Sequence, residues 1–443
     1  MKTCLISFLA LWFLSTSLMP ISLSACPQKP SHPAQKYDLA GSWKGTWTKD
    51  GDALAVTMTI AKTGHIYSGA FDSDDLQVVG IPLSGVTGTN GKVRFLLKGD
   101  QTTAVFQGAI KGDVMSGTFV DGGTKGSFYL ARSVLPAAKI ATRDVTFQNK
   151  DVTLAGTLLL PAASGRHPAV VFLHGSGPEG RWASHYLAQI LAENGIVALI
   201  YDKRGVGQST GDWRKAGPEA LSDDAVAGIR FLESQPEVDA ARIGIYGHSQ
   251  GGTFAPLVGV RAGDLRFIVA SAAGGIDPAD VETFSVENSI GVASLPLPDR
   301  ADAQSYVHAL VDVAYRGRDR AELDAASAKF QGREWYFAPP PPDNSYWQIS
   351  KGIAAYTPAE FWRQIKVPVL LIYGAHDERV PPRESASAIQ SALAAGGNAQ
   401  VTLVAYPNSD HTFTIVDPPH KGGWPKHEPD YAKALANWIL AHS

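Results

Sequence analysis

Residues 245–252 read "IYGHSQGG", a β-branched and aromatic run that passes into histidine, serine and glycines with no polar loop between. Gly247-His248-Ser249-Gln250-Gly251 within it is a G-x-S-x-G sequence, and its flanks decide its meaning. Upstream, "RIGIYGHS" has the apolar character of a strand covered on both faces. Downstream, Gly251 to Ala262 has helical spacing. A strand entering a helix through such a sequence makes a sharp turn that lifts the serine hydroxyl off the sheet edge. Glycines on both sides remove Cβ atoms that would collide there, and Gly252 lets the helix pack close.

Working outward, strands and helices alternate. "PAVVFLHG" and "IVALIYD" read as buried strands, and "SHYLAQILAENG" as a helix with Gly195 at its C-terminal cap. "PEALSDDAVAGIRFLES" is a helix opened by Pro218 and an acidic first turn, which suits the helix dipole. Beyond the serine come the strand "RFIVASAAG", a long interruption at about 277–363, the strand "VPVLLIYGAHD", a helix around 383–395, the strand "QVTLVAYP" and the helix "PDYAKALANWILAH". A hairpin, "DVTFQNKDVTLAGTLLLP", precedes them all. This order predicts one α/β domain over 144–443 with a mostly parallel sheet. The interruption is too long for a loop and reads as an inserted helical cap. Its aromatics Trp335, Tyr336, Phe337, Tyr346 and Trp347 either line a substrate pocket or form the cap's own core.

A serine alcohol needs a base to become a nucleophile, and the base needs an orienting group. In the chain order serine, acid, histidine, the acid follows a later strand and the histidine lies in the loop after the next. "LLIYGAHDERVPP" supplies Asp377 and "LVAYPNSDHTF" supplies His411. Glu378 and Asp410 are the competing acids, but Asp410 adjoins His411 and could not easily face its ring. His376, His420 and His427 read as surface residues, and His174 as a structural hydrogen bonder. Acyl transfer also needs backbone donors for the developing oxyanion. The N–H of Gln250, at the head of the helix, is one. The N–H of Ser176 is the other, in "LHGSGPEG", where Gly175 and Gly177 permit sharp turns. This chemistry needs no metal or organic cofactor, and the His/Cys clustering of a zinc site is absent from the sequence.

"GHSQGG", "HGSG" and "YDKRGVGQSTG" together resemble α/β-hydrolases related to the prolyl-oligopeptidase, dienelactone-hydrolase and cocaine-esterase groups. The resemblance spans about 144–277 and 364–443. With a β-rich domain in front, the chain is similar to two-domain bacterial carboxylesterases. The resemblance implies ester hydrolysis through an acyl-enzyme, with Ser249, Asp377 and His411 as the triad and Ser176 and Gln250 as oxyanion donors. A peptidase or thioesterase would use the same triad. Asp202 and Arg204, in "DKRGVGQS", read as an ion pair bracing the strand end.

The N-terminal third is different. Residues 1–25 have one charge, Lys2, then an apolar run and small residues, which is a secretory signal pattern. "LSAC" resembles the lipobox of bacterial lipoproteins, which would make Cys26 a lipidated first residue and tether an exported enzyme to an envelope membrane. The only other cysteine is Cys4, inside the signal. Residues 26–36 read as a tether rich in proline and polar residues. From 37 to 132 the period becomes two, with Leu54, Val56, Met58 and Ile60 on one face and turn pairs at Asp50-Gly51, Asn90-Gly91 and Asp121-Gly122. That pattern predicts a small antiparallel barrel or sandwich, with a linker at 133–143. "GSWKG" resembles the start of a lipocalin-like barrel, so Trp43 and Trp47 are either core residues or the lining of a ligand site. A formal net charge of -3 over 443 residues gives no electrostatic reason to expect nucleic acid, and suits a neutral or apolar small molecule better; the resemblance implies that this molecule is an ester.

Overall fold

The computed structural model describes residues 38–99, 102–134, 139–419 and 423–443. The expected signal segment, the tether, Cys26 and His420 lie outside the described residues. Between Gly41 and Ser133 eight consecutive antiparallel strands close into a barrel, the first (Gly41–Lys49) pairing with both the second (Asp52–Thr63) and the last (Thr124–Ser133). Alternation sends one face of each strand inward. Trp43, Trp47, Leu54, Met58, Phe95 and Phe106 are fully buried there. Ring centroids of Phe106 lie 4.5 Å from Phe95, 4.6 Å from Trp47 and 4.7 Å from Phe119. Aromatic side chains in mutual contact fill the interior, as expected for a barrel of this strand number. Trp43 and Trp47 are therefore core. The turns Asp50-Gly51 and Asn90-Gly91 have positive φ at both residues, the conformation that matches strand twist in two-residue hairpins.

The second domain holds an eight-stranded sheet. Its strands are β1 (Ile140–Asn149), β2 (Val152–Pro161), β3 (His167–Leu173), β4 (Val197–Tyr201), β5 (Val238–His248), β6 (Phe267–Ser271), β7 (Val369–Gly374) and β8 (Val401–Tyr406), in the spatial order β8-β7-β6-β5-β3-β4-β2-β1. β1 and β2 run antiparallel, as do β2 and β4, and all remaining pairs are parallel. β1 begins at Ile140, inside the expected linker: the hairpin ladder with β2 continues to Ile140↔Pro161 through the exposed stretch 141–144, and Ile140 itself packs against the core.

On its faces lie α1 (His185–Glu193), α2 (Pro218–Glu233) and α3 (Gln250–Ala262). β3, β4, β5 and β6 are buried on both sides, which is why they read as unbroken apolar runs. Between β6 and β7 the chain leaves the sheet to form the cap: α4 (Pro278–Ser289), α5 (Leu297–Tyr315), α6 (Arg320–Phe330), α7 (Ser345–Ala354) and α8 (Pro358–Trp362). Asp277, Asp319 and Asn344 cap α4, α6 and α7 with their side chains. Trp335 and Phe337 are buried in the cap's own core with Tyr306 and Phe330, and Tyr346 and Trp347 pack against it. The Tyr356 hydroxyl donates to Thr253 O at 2.8 Å, tying the cap to the start of α3. The chain ends in α9 (Pro382–Ala395), β8 and α10 (Tyr431–His442).

The molecule is thus an antiparallel β-barrel followed by an α/β-hydrolase domain with a helical cap. The two meet beside α1, where Gly80 of the barrel faces the His185 ring, and through the loop after β8. There Trp424 is buried against the barrel core, 6.4 Å from Trp47 and 6.1 Å from Phe119 between ring centroids, and its Nε1 donates to Asp52 O at 3.1 Å. A Cβ on Gly423 would lie 2.4 Å from Lys49 O, so only glycine fits beside the barrel rim.

Candidate active site

Ser249 stands between β5 and α3 at φ 56° and ψ -119°, a left-handed conformation that non-glycine residues avoid. Neighbouring contacts enforce it. A Cβ on Gly247 would come within 2.3 Å of Gly251 O, and one on Gly251 within 2.7 Å of Leu173 O. The Ser249 N–H is tied to Ser271 O at 2.9 Å, and Ser249 O accepts the Thr253 N–H at 2.9 Å. Strain of this kind persists only where the surroundings over-determine it, and it aims the hydroxyl away from the sheet.

His411 and Asp377 converge on that hydroxyl from the loops after β8 and β7. His411 Nε2 lies 3.0 Å from Ser249 Oγ, and His411 Nδ1 lies 2.8 Å from Asp377 Oδ2. Asp377 Oδ1 accepts the backbone N–H groups of Arg379 and Val380, both at 2.8 Å. Oδ1 is thus held by the backbone, Oδ2 faces His411 Nδ1, and the opposite ring nitrogen faces Ser249 Oγ. The rival acids serve elsewhere. Asp410 caps its own loop through Thr412 N and Thr414 N, and Glu378 faces Arg379. His248 packs 4.9 Å from the His411 ring, and burial together with the His411 charge holds it down to about 3.

The loop Gly175–Gly177 lies beside the head of α3. Among the described residues the N–H of Ser176 has no hydrogen-bond acceptor, which leaves it available to a ligand. His174 Nε2 sits 2.6 Å from Tyr201 O, and burial and the Lys203 ammonium hold this imidazole down to about 3. It is neutral and structural, as its sequence context suggests.

Two expectations need correction. Asp202 and Arg204 do not pair with each other. Asp202 is saturated by Arg181, through its backbone N–H and its guanidinium at 2.9 Å, and by Gln208 N at 3.0 Å. Arg204 instead forks onto Asp224 of α2, with both bonds at 2.7 Å. A bidentate guanidinium–carboxylate fit outcompetes a contact two residues along the chain. His427 is half-buried rather than a surface residue, with Nδ1 3.4 Å from Thr414 Oγ1 in the hairpin that carries His411. His376 is exposed.

Sequence reasoning passed over Lys203. Its side chain is only 2% exposed, and Nζ donates to Gly175 O at 2.8 Å, Gly177 O at 3.1 Å and Gln250 Oε1 at 3.2 Å. Burial brings its ammonium down to about 8. Glu179 accepts the Gly175 N–H at 2.7 Å, and burial pushes its carboxyl up, against the pull of Lys203. The signal was a lysine flanked by apolar strand and glycine-rich turn, where solvent is scarce.

Fold and relay together describe a serine hydrolase of the α/β class. The chain belongs to the serine aminopeptidase, S33, family, whose pattern matches residues 165–418, more than half of its length. It is 38% identical over 115 residues to protein PA2218 of Pseudomonas aeruginosa, covering 25% of this chain and 31% of that one. It is 23% identical over 281 residues to esterase EstD of Thermotoga maritima, covering 61% and 60%. The chain therefore spans about a third and about three fifths of these relatives' lengths. Among solved structures, esterase Pf2001 of Pyrococcus furiosus aligns at a TM-score of 0.46 and 19% identity, covering 70% of this chain and 96% of that one.

Proposed function

We propose that this chain is a carboxylic ester hydrolase that works through an acyl-enzyme on Ser249. The observation that carries the reading is the unbroken relay from Ser249 Oγ through His411 to Asp377, at 3.0 and 2.8 Å. As His411 Nε2 takes its proton, Ser249 Oγ attacks the ester carbonyl, and Asp377 holds the imidazole tautomer and stabilises the imidazolium. The N–H groups of Ser176 and Gln250 receive the oxyanion, each such donor contributing about 3–4 kcal/mol to the transition state. His411 then protonates the leaving alcohol, and water repeats the sequence to release the acid and restore Ser249. The name of EstD favours esters. The family's description favours a second reading, removal of an N-terminal amino acid from a peptide.

The test is a ladder of short to long p-nitrophenyl esters, with an aminoacyl-prolyl anilide beside them, on the protein from about Ser31 and on its Ser249→Ala form. Ester turnover that disappears in the variant supports the esterase, and the chain-length profile reports the depth of its acyl site. Anilide cleavage outpacing the esters replaces it with a peptidase. Undiminished turnover in Ser249→Ala removes the serine from the mechanism. We further propose export and lipidation at Cys26, on the strength of "LSAC"; mass spectrometry of the mature N-terminus finds either a diacylglyceryl cysteine or an unmodified one.

A further inference from the structure

The two proposed oxyanion donors come from separate segments, one in the loop after β3 and one at the start of α3. A single buried ammonium joins them. Lys203 Nζ has three protons and three acceptors: Gly175 O, Gly177 O and Gln250 Oε1. Gly175 O belongs to the same peptide unit as the Ser176 N–H, and in a trans peptide the two point in opposite directions. Anchoring that carbonyl on Lys203 therefore turns the Ser176 N–H to the far side of the plane. Gly177 O fixes the next peptide but one. Gln250 Oε1 ties in the residue whose own N–H is the second donor. From the other end of the loop, Glu179 Oε2 takes the Gly175 N–H, so the peptides around Ser176 are gripped at three points. A cation on the carbonyl also polarises the peptide and strengthens the N–H as a donor.

We infer that Lys203, assisted by Glu179, is the positioning residue of the oxyanion loop, aligning and polarising the Ser176 donor without touching substrate. The inference rests on the reading of Ser249 as nucleophile. It also accounts for a buried lysine between Asp202 and Arg204, which have partners of their own.

The experiment compares Lys203→Met, Glu179→Gln and the unaltered protein by labelling rate with a fluorophosphonate, whose phosphoryl oxygen must occupy the oxyanion position as Ser249 attacks, and by ester kinetics. The expected result for Lys203→Met is a fall of about 10- to 100-fold in both labelling rate and kcat. KM should stay within about threefold, because the donors act on the transition state rather than on the bound ester. Glu179→Gln keeps an amide oxygen for the Gly175 N–H and should lose about three- to tenfold with the same kcat–KM split; it carries the test alone if Lys203→Met does not fold. Variants that melt like the unaltered protein and label at its rate overturn the inference while leaving the nucleophile reading intact. Equal losses in kcat and in ester affinity overturn it in favour of a general loosening of the site. An unaltered protein that the probe does not label brings down the nucleophile reading, and this inference with it.

Discussion

In the barrel every strand has two hydrogen-bonded neighbours and the interior is occupied by touching aromatic rings, whereas the sheet of the second domain is open, with β8 and β1 at its edges. Its parallel strands β5, β7 and β8 end on one side, and there Ser249, Asp377 and His411 stand in the loops that follow them. A closed antiparallel ladder spends its whole inner face on its own core. An open parallel sheet buries both faces under helices but leaves its strand ends uncovered, and reactive groups collect there. The barrel meets the loop that follows β8 where Trp424 enters its rim and where Asp52 accepts from the Trp424 indole and pairs with Lys426. The loop that reaches the barrel is the one that carries His411: Ile415 N bonds Lys426 O at 2.7 Å, Glu428 N bonds Phe413 O at 3.0 Å, and barrel residue Gln77 holds Glu428 O at 3.0 Å.

Substitutions in the two regions should separate activity from stability. The largest effect belongs to Ser249→Ala, which should lower kcat by about 10⁴-fold or more with no loss in melting temperature. Phe106→Ala in the barrel should do the opposite, costing about 3–5 kcal/mol in urea unfolding while kcat per folded molecule is unchanged. A large kcat loss from Phe106→Ala would break the comparison.

Acid should act on the hydrolase domain first. His174 and His248 titrate at 6.5 when exposed but at about 3 in the fold, so below 6.5 the unfolded chain binds more protons. Their stability contribution is complete above pH 6.5 and is lost as pH falls toward 3, by about 3 kcal/mol per imidazole at pH 4. Urea titrations between pH 7 and 4 should show that slope, and His174→Asn should flatten it.

The smallest effect belongs to Trp424, where the two regions interlock. Trp424→Ala should cost about 2–3 kcal/mol in urea unfolding, less than a fully interior tryptophan because one edge faces the domain boundary. It should also lower kcat by about three- to tenfold as the His411 hairpin loosens, with ester KM unchanged. Full retention of kcat would make the barrel a passenger.

Much of this was legible in the chain. The G-x-S-x-G turn is local, because the glycines that must surround Ser249 are its own sequence neighbours. Asp377 and His411 could be placed beside Ser249 because each follows a later strand in the order serine, acid, histidine, although only β7 is an unbroken buried run and β8, at the sheet edge, is partly exposed. Tertiary structure alone decided Lys203, whose acceptors lie 26–47 residues away. It likewise decided Arg204, whose partner comes from a packed helix, and Trp424, whose surroundings are supplied by a domain more than three hundred residues earlier. Turns and period-two or unbroken apolar runs are encoded between neighbours, where backbone sterics and burial act directly. The partner of a buried charge or ring is set by which distant surfaces pack together, and no local pattern carries that information.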